Sequence, residues 1–535
     1  MLSARAVLAI FFCSGGWASG ATLPPRTSLP LTATAPALDG DAGWAAAAHI
    51  TTAWDFTHGR PAAEPADVAF VTDGKALFVR FVVPQREGIT ATQAVDGVGE
   101  NSDDTVTVRL WPAGVSGFVY DFRATPRGTR YQGSSENNNY APAWTALAQT
   151  TATGYAVTMR IPFSAIRGTG SNTWRVQFER DIKAFNERDE WSTAPGQTAS
   201  DQVVDAGYVN GFDAGSKAAR AKARVGVYAL AQAGPPVYGG DTGRVGADIA
   251  VPVTPTASLV ATIHPDFSNV ETDQQTITPT TFTRFYPELR PFFAQGAQFY
   301  DYTTCYECPA AGFKELYTTA IPTPRSGYQL EGTQGPVTFG MLYALGFGRN
   351  DQAQSVAYTL PSNILTANYT RVASYQAGGL TDVVNFGSLQ FNSQHGFLGY
   401  IEKGEESGTN VTNPFAARRL DGGIQYQTKD DSDEFSMRSV GAQWNPVDGY
   451  TPVNDIAGYS SQAFHTFHFS GGLRTLSIGS TLDHYAGSDG MGTNLQDFQQ
   501  AATLTFADQV DVRIFTGSQF YRPPFEPVLY PDNQQ

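Results

Sequence analysis

Residues 337–345 read Val337-Thr-Phe-Gly-Met-Leu-Tyr-Ala-Leu345. In an extended chain, Val337, Phe339, Met341, Tyr343 and Leu345 point one way, and Thr338, Gly340, Leu342 and Ala344 the other. One face is bulky and apolar. The other is small and almost uncharged. The same alternation recurs in Val245–Val251, in Ala257–Ile263, in Leu476–Leu482, in Ala502–Phe506 and in Val510–Ile514. An apolar face beside a Gly/Thr/Ser/Asp face is the pattern of strands with lipid outside and a polar lumen inside. At roughly 20 residues per strand and connection, residues 224–535 predict a transmembrane antiparallel β-barrel of about 16 strands. The chain ends Tyr530-Pro-Asp-Asn-Gln-Gln535 and not on an aromatic strand, which reads as a truncated or short barrel.

Composition points the same way. The 535 residues include 54 Gly and 24 Tyr, and only 16% are charged, against about 25% in an ordinary soluble protein. Mean hydropathy is nonetheless −0.25, too low for a bundle of membrane helices. Thirty-five Lys and Arg against 50 Asp and Glu give a net charge of −15, which excludes a general nucleic-acid binder. Residues 1–21 read as a signal peptide: an early positive charge, the apolar run Ala6–Cys13, then small residues. That run is too short to span a bilayer. The expected address is therefore the outer membrane.

Ahead of the barrel the texture differs. Residues 22–36 are rich in Pro and Thr and read as a linker or an extended first strand, and 214–223 as a basic linker. Between them, 37–213 carry short alternating strands. Asp73-Gly74 marks a tight turn between Asp67–Phe70 and Leu77–Val83. Val106, Val108 and Leu110 oppose Thr105, Thr107 and Arg109. Trp174, Val176 and Phe178 oppose Arg175, Gln177 and Glu179. This predicts a β-sandwich, so the fold class is all-β, a sandwich followed by a barrel. Trp44, Trp144 and Trp174 fall in core positions; Trp54, Trp111 and Trp191 fall near strand ends.

Several stretches carry a resemblance. Leu38-Asp-Gly-Asp-Ala-Gly-Trp44, Val71–Val79, Asn101–Val108, Arg160-Ile-Pro-Phe163 and Trp174–Arg180 resemble a carbohydrate-binding module of the family 9 type. His264–Asp273 and Phe285-Tyr-Pro-Glu-Leu-Arg-Pro-Phe-Phe293 resemble a hallmark of outer-membrane barrels that follow such modules. Those barrels form a family of unknown function labelled membrane-associated hydrolases. The resemblance implies a glycan or oligosaccharide ligand. The signal peptide and the alternating strands imply outer-membrane lipid around the barrel, and a first strand entering from the periplasm puts the sandwich on that side. In the founding modules two tryptophans clamp the sugar; the matching places here are near Asn101 and Ser200, and neither is Trp. Asn101, Thr107 and Asp121 border the implied binding face.

Other residues give local expectations. Cys305 and Cys308, in Cys-Tyr-Glu-Cys, suit a local disulfide in an oxidising compartment. Asp103 and Asp104, in an oxygen-rich loop, are calcium candidates; no other cofactor or metal is expected. The segment 264–325 interrupts the alternation. Pro287 and Pro291 lack the N–H of a central strand, so Phe285–Phe293 is expected to fold into the lumen as a constriction, with Arg284, Glu288 and Arg290 biasing passage of ions or sugars. No nucleophile elbow, zinc-protease motif or phosphate loop is present. His465 and His468 lie three apart on a strand and point to opposite faces. The expectation is glycan binding and handling at the envelope; a glycoside hydrolase and a porin-like barrel with a non-binding module are the alternatives.

Overall fold

The computed structural model describes residues 24–531 apart from 86–87, 98–101, 113–118, 135–139, 141, 167–171, 194–205, 213–222, 233–241, 255–256, 266–284, 287, 289, 295, 301–311, 361–363, 393–395, 429, 470, 489–491, 507–509 and 523–529. Both alternating regions fold as strands.

The N-terminal region is a two-sheet sandwich. One sheet runs Arg60–Pro61, Trp54–Asp55, Glu187–Glu190, Thr173–Ile182, Thr105–Trp111, Tyr120–Ala124 and Arg130–Ser134. Gly207–Asn210 also pairs with Thr173–Ile182, and Arg26–Ser28 pairs with it in parallel. The second sheet runs Thr145–Thr151, Gly154–Pro162, Ala76–Pro84, Asp67–Thr72 and Ala48–Thr51. The turn at Asp73-Gly74 forms because Asp73 Oδ1 accepts from the N–H of Lys75 and Ala76, both at 2.8 Å, and Gly74 takes φ +79°. Between the sheets lie Phe70 stacked on Phe178 at 5.2 Å and Trp174 stacked on Phe212 at 4.2 Å. Each such fully buried side chain contributes about 1.5–3 kcal/mol. Trp44 packs on the outer side of the second sheet with Val71 and Phe78, under the guanidinium of Arg80 at 4.3 Å.

Of the two readings of 22–36, a linker or an extended first strand, the structure shows a short strand. Arg26–Ser28 is a strand, Leu29 is buried in the sandwich core, and Leu31 bridges Thr72. Prolines at 24, 25 and 30 suit an extended edge, where one side of the backbone needs no ladder bond.

From Arg224 onward the chain forms one sheet of sixteen strands, each paired antiparallel with the next in sequence. It starts at Arg224–Gln232 and ends at the two-residue strand Tyr530–Pro531. Among the described residues these two edges are not hydrogen-bonded to each other. Connections at one end are short: 255–256, 335–336, 360–364, 428–430. At the other end lie 264–325, 409–417 and 441–455. The strand Ala257–Ile263 stops immediately before the first of these, and Ser326–Gln334 starts immediately after it.

Burial sorts the two faces. Thr338, Gly340, Leu342 and Ala344 are buried and face inward, while Met341 is exposed. The exposed face carries Val227, Val245, Ile249, Ile401, Leu420, Ile424, Met437, Ile478 and Ile514. An apolar belt of this extent is not a water-facing surface; it suits lipid. Tyr328 stacks on Tyr343 at 4.9 Å near the long-loop end, and Phe397 meets Tyr426 at 4.5 Å near the short-turn end. Aromatics at both rims of an apolar band mark the two bilayer interfaces. No helix among the described residues is long and apolar enough to cross a membrane; the crossing is by strands. The sheet is an outer-membrane-type barrel.

Candidate functional site

Two places collect the chemistry: the outer face of the first sandwich sheet and the interior of the barrel.

Strand register builds the first. Gln177 lies opposite Arg109, and Arg109 opposite Asp121. One pleat along, Glu190 lies opposite Glu179, Glu179 opposite Thr107, and Thr107 opposite Arg123. Next come Arg188, Asp181 and Thr105. All ten point away from the apolar core, since Val106, Val108, Val176 and Phe178 point into it. Arg109 donates Nε to Asp121 at 2.6 Å and sits 3.0 Å from Glu179. Gln177 Nε2 donates to Glu190 at 3.3 Å and to Thr193 at 3.2 Å. Arg188 Nε donates to Asp181 at 2.9 Å. Trp111 flanks this array in the same strand, opposite Arg175, whose guanidinium covers Tyr208 at 4.1 Å. A flat row of fixed donors and acceptors beside an aromatic suits a polyhydroxylated ring. Thr107 Oγ1 and Glu190 Oε1 are buried without a hydrogen-bond partner, a costly arrangement for polar groups.

The charges are not equivalent. Burial, reinforced by the Glu179 charge, pushes the Glu190 carboxyl up to about 8. Burial alone would raise Asp181, but Arg188 and Lys183 outweigh it and hold Asp181 at about 2. A carboxyl whose folded pKa exceeds its unfolded value of about 4.3 stabilises the fold below that value, and the contribution is lost as pH rises through the folded pKa. The sandwich is therefore expected to lose stability between pH 5 and 9, with Asp189, raised to about 9 by burial and by Glu187, acting in the same direction. Glu190→Gln removes its share of that loss. Denaturant midpoints at pH 5 and pH 9 measure it; an unchanged fall in Glu190→Gln would contradict the assignment.

Of the residues singled out in the sequence, Thr107 and Asp121 lie on this face. Asn101 and Ser200 fall outside the described residues, as do Cys305 and Cys308. Asp103 and Asp104 are corrected as calcium candidates. Asp103 accepts from the hydroxyl of Thr92 at 2.7 Å and the N–H of Gln93 at 2.8 Å. Asp104 accepts from Gln85 at 2.9 Å, from the N–H of Thr90 at 3.0 Å and from the N–H of Lys183 at 2.8 Å. Both are buried, and their oxygens are taken by N–H and O–H donors that a cation would have to displace. They brace the loop. Sequence reasoning missed Arg109, Gln177, Glu179 and Glu190 as a group. Their alternation was visible; the register that joins four strands was not.

Inside the barrel, the segment after Ile263 folds against the wall. Phe292, Phe293, Phe299, Tyr300, Phe313 and Ile321 bury with Val260, Leu342, Val372, Val384, Val440 and Tyr485 of the inward face. Glycines in the wall make room: a Cβ on Gly327 would stand 2.6 Å from the Phe292 ring, and one on Gly340 2.8 Å from Tyr300. The connection 441–455 joins it. Lys314 and Tyr450 exchange backbone bonds of 3.0 and 2.7 Å. Phe285, Tyr317 and Tyr450 meet at 5.3–5.4 Å. Wall carboxylates hold the second connection: Asp382 accepts from Val447 N–H at 2.8 Å and Glu406 from Asn445 N–H at 2.6 Å.

Ion pairs pin the first. Buried Arg419 binds Glu315 of the segment and, at 2.5 Å, Glu402 of the wall. Arg438 binds Asp421 at 2.6 Å. The two guanidiniums each lie 4.8 Å from the Phe313 ring centre. Glu288 and Arg290 pair with each other at 2.7 Å, and Arg290 donates to the carbonyls of Ile321 and Thr318. Arg284 lies outside the described residues. The idea that Arg290 biases passage is corrected: its donors bind the segment's own carboxylate and carbonyls, so it staples the segment. Buried charge across the wall and its inward connections is mostly acidic. From Thr262 onward, twelve Asp and Glu side chains are buried among the described residues, against three Arg. His465 and His468 pair separately with Asp431 at 2.7 Å and Asp430 at 3.3 Å.

No family model and no curated protein matches the chain. Among solved structures it is similar to a family 9 carbohydrate-binding module from Caldicellulosiruptor kristjanssonii in complex with cellotriose (12% identity, 35% of this chain and 92% of that one, TM-score 0.26). It is also similar to the outer membrane protein opdK from Pseudomonas aeruginosa (8% identity, 79% and 94%, TM-score 0.30) and to a BenF-like porin from Pseudomonas fluorescens (8% identity, 80% and 95%, TM-score 0.28). The architecture is a sandwich followed by an outer-membrane-type barrel.

Proposed function

We propose that this chain is an outer-membrane glycan-binding protein. The sandwich takes the sugar on the face centred on Arg109, Glu179 and Glu190, and the barrel anchors it at the envelope with its interior occupied by the chain's own segments. The observation that carries the reading is the row of registered, mutually fixed side chains on that face with Thr107 and Glu190 left one partner short. Preorganised polar groups bind sugar hydroxyls without the entropy cost of ordering flexible side chains. The sandwich sits on the periplasmic side: the barrel starts at the short-turn end with Arg224, and Arg474 at that same end donates to the carbonyl of Ala184 in the sandwich. Short turns are periplasmic in bacterial barrels.

A second reading, hydrolysis of O-glycosyl bonds, is favoured by one observation. Glu190 holds its proton near neutral pH beside Glu179, and unlike carboxyls on one face are what glycoside hydrolysis requires. A panel of polysaccharides and oligosaccharides separates the readings. Binding without new reducing ends supports the first. Released reducing ends that vanish in Glu190→Gln while binding persists support the second. Neither leaves a barrel with a non-binding module. Arg109→Ala is expected to weaken binding at least tenfold, since it strips a charged partner from two acids on the face.

A further inference from the structure

A second cluster lies at the edge of the same sheet, on its opposite face. The hairpin Trp54–Asp55, Arg60–Pro61 turns through His58 and Gly59. It pairs with the strand Glu187–Glu190, so that Asp55 stands directly opposite Asp189. Asp55 is fully buried. Its Oδ1 accepts the N–H of His58 at 3.1 Å, and its Oδ2 lies 2.8 Å from His58 Nδ1 and 3.0 Å from Arg60 Nε. Arg60 also reaches Glu187, at 3.6 Å, from a half-exposed position. The ligand atoms of Asp55, His58 and Glu187 all lie within 4.8 Å of one another.

Two groups there lack partners. Asp189 is fully buried within reach of the Glu187 carboxyl, and its Oδ1 has no hydrogen-bond partner. His58 Nε2 is buried without one as well. Three carboxylates share this pocket with two guanidiniums. One of these, Arg180, is 3.4 Å from Asp189; the other, Arg60, can swing into solvent. Three crowded carboxyls and an imidazole, with a half-exposed Arg60 as the cation nearest solvent, point to a cation site.

We propose that Asp55, His58 and Glu187 form a binding site for a divalent transition-metal cation, with Asp189 behind them and Arg60 as the group that holds the place when metal is absent. One imidazole with carboxylates selects zinc, manganese, nickel or cobalt over calcium, which takes six or more oxygens. The site would clamp the edge hairpin to the sheet that carries the polar face.

The test uses the full chain in detergent, in a Cys305→Ser, Cys308→Ser background so that the thiols cannot compete. Chelator-treated protein is titrated with zinc chloride by calorimetry, and with cobalt(II) for its visible absorption. Saturable binding of one ion is expected. His58→Gln, on a residue at the surface end of the cluster, should weaken it at least tenfold, and Arg60→Ala should strengthen it severalfold by removing the resident cation. Absence of saturable binding in both the parent and Arg60→Ala overturns the site, and means that Glu187 and Asp189 share a proton instead. Binding that His58→Gln leaves unchanged overturns it too, by placing the metal elsewhere.

Discussion

Deleting the inward segment, Phe285–Ile321, with a short Gly/Ser bridge in its place, is expected to turn a nearly closed barrel into a cation-selective pore. Phe292, Phe293, Phe299 and Phe313 now fill space that the wall alone does not. Their loss leaves a lumen lined by Asp351, Asp382, Glu402, Glu406, Glu434 and Asp483. Rings of carboxylates favour cations. In planar bilayers, single-channel conductance should rise on the order of tenfold, and the reversal potential in a potassium chloride gradient should shift toward potassium. A milder variant guards against misfolding. Phe313→Ala with Glu315→Gln removes the ring between Arg419 and Arg438 and the carboxylate that Arg419 holds; it should give intermittent openings of the same selectivity. Unchanged conductance in a barrel that remains heat-modifiable on a gel would place the segment outside the conduction path.

Arg180→Ala is expected to destabilise the sandwich more than any loss of a surface charge. Arg180 is completely buried. It donates to the carbonyl of Glu64, to Gln85 Oε1 at 2.9 Å and to Pro84 O at 3.5 Å, and it pairs with Asp189. Removing it leaves the buried Asp189 carboxyl and several acceptors without their partner, a cost of about 3–5 kcal/mol. Urea unfolding followed by the fluorescence of Trp174 and Trp191 measures this. Arg180→Lys should recover part of the loss, because one ammonium keeps the charge but cannot reach all four acceptors. Arg127→Ala, on an exposed side chain, should cost less than about 0.5 kcal/mol. A loss in Arg180→Ala no larger than that of the control would show that the network is dispensable.

Arg180 also shows how far the sequence carries. The alternation of Thr173–Ile182 puts it on the same face as Trp174, Val176 and Phe178, and the structure places it there. Period two assigns a face whatever the side chain is, so a charged residue at a core position was legible as a position. Its four acceptors were not, because they come from Glu64, Pro84, Gln85 and Asp189, on other turns and strands.

The sequence by itself determined the all-β class, the inward and outward faces of the barrel strands, and the stretch between Ile263 and Ser326 that breaks their pattern. These are local properties: a residue's side of an extended chain depends only on its neighbours, and a proline's missing N–H acts where the proline stands. Partner choice depended on the tertiary structure. Arg419 meets Glu315 across 104 residues, and Arg349 meets Asp448 across 99. Phe313 lies between Arg419 and Arg438 because two connections fold back onto one wall. Asp103 and Asp104 looked like calcium ligands in the sequence and became acceptors for backbone N–H groups; Arg290 looked like a lumen charge and became a staple. A charged side chain has the same identity in every setting, and its role is set by which opposite charge or donor the register and the loops bring within about 3 Å.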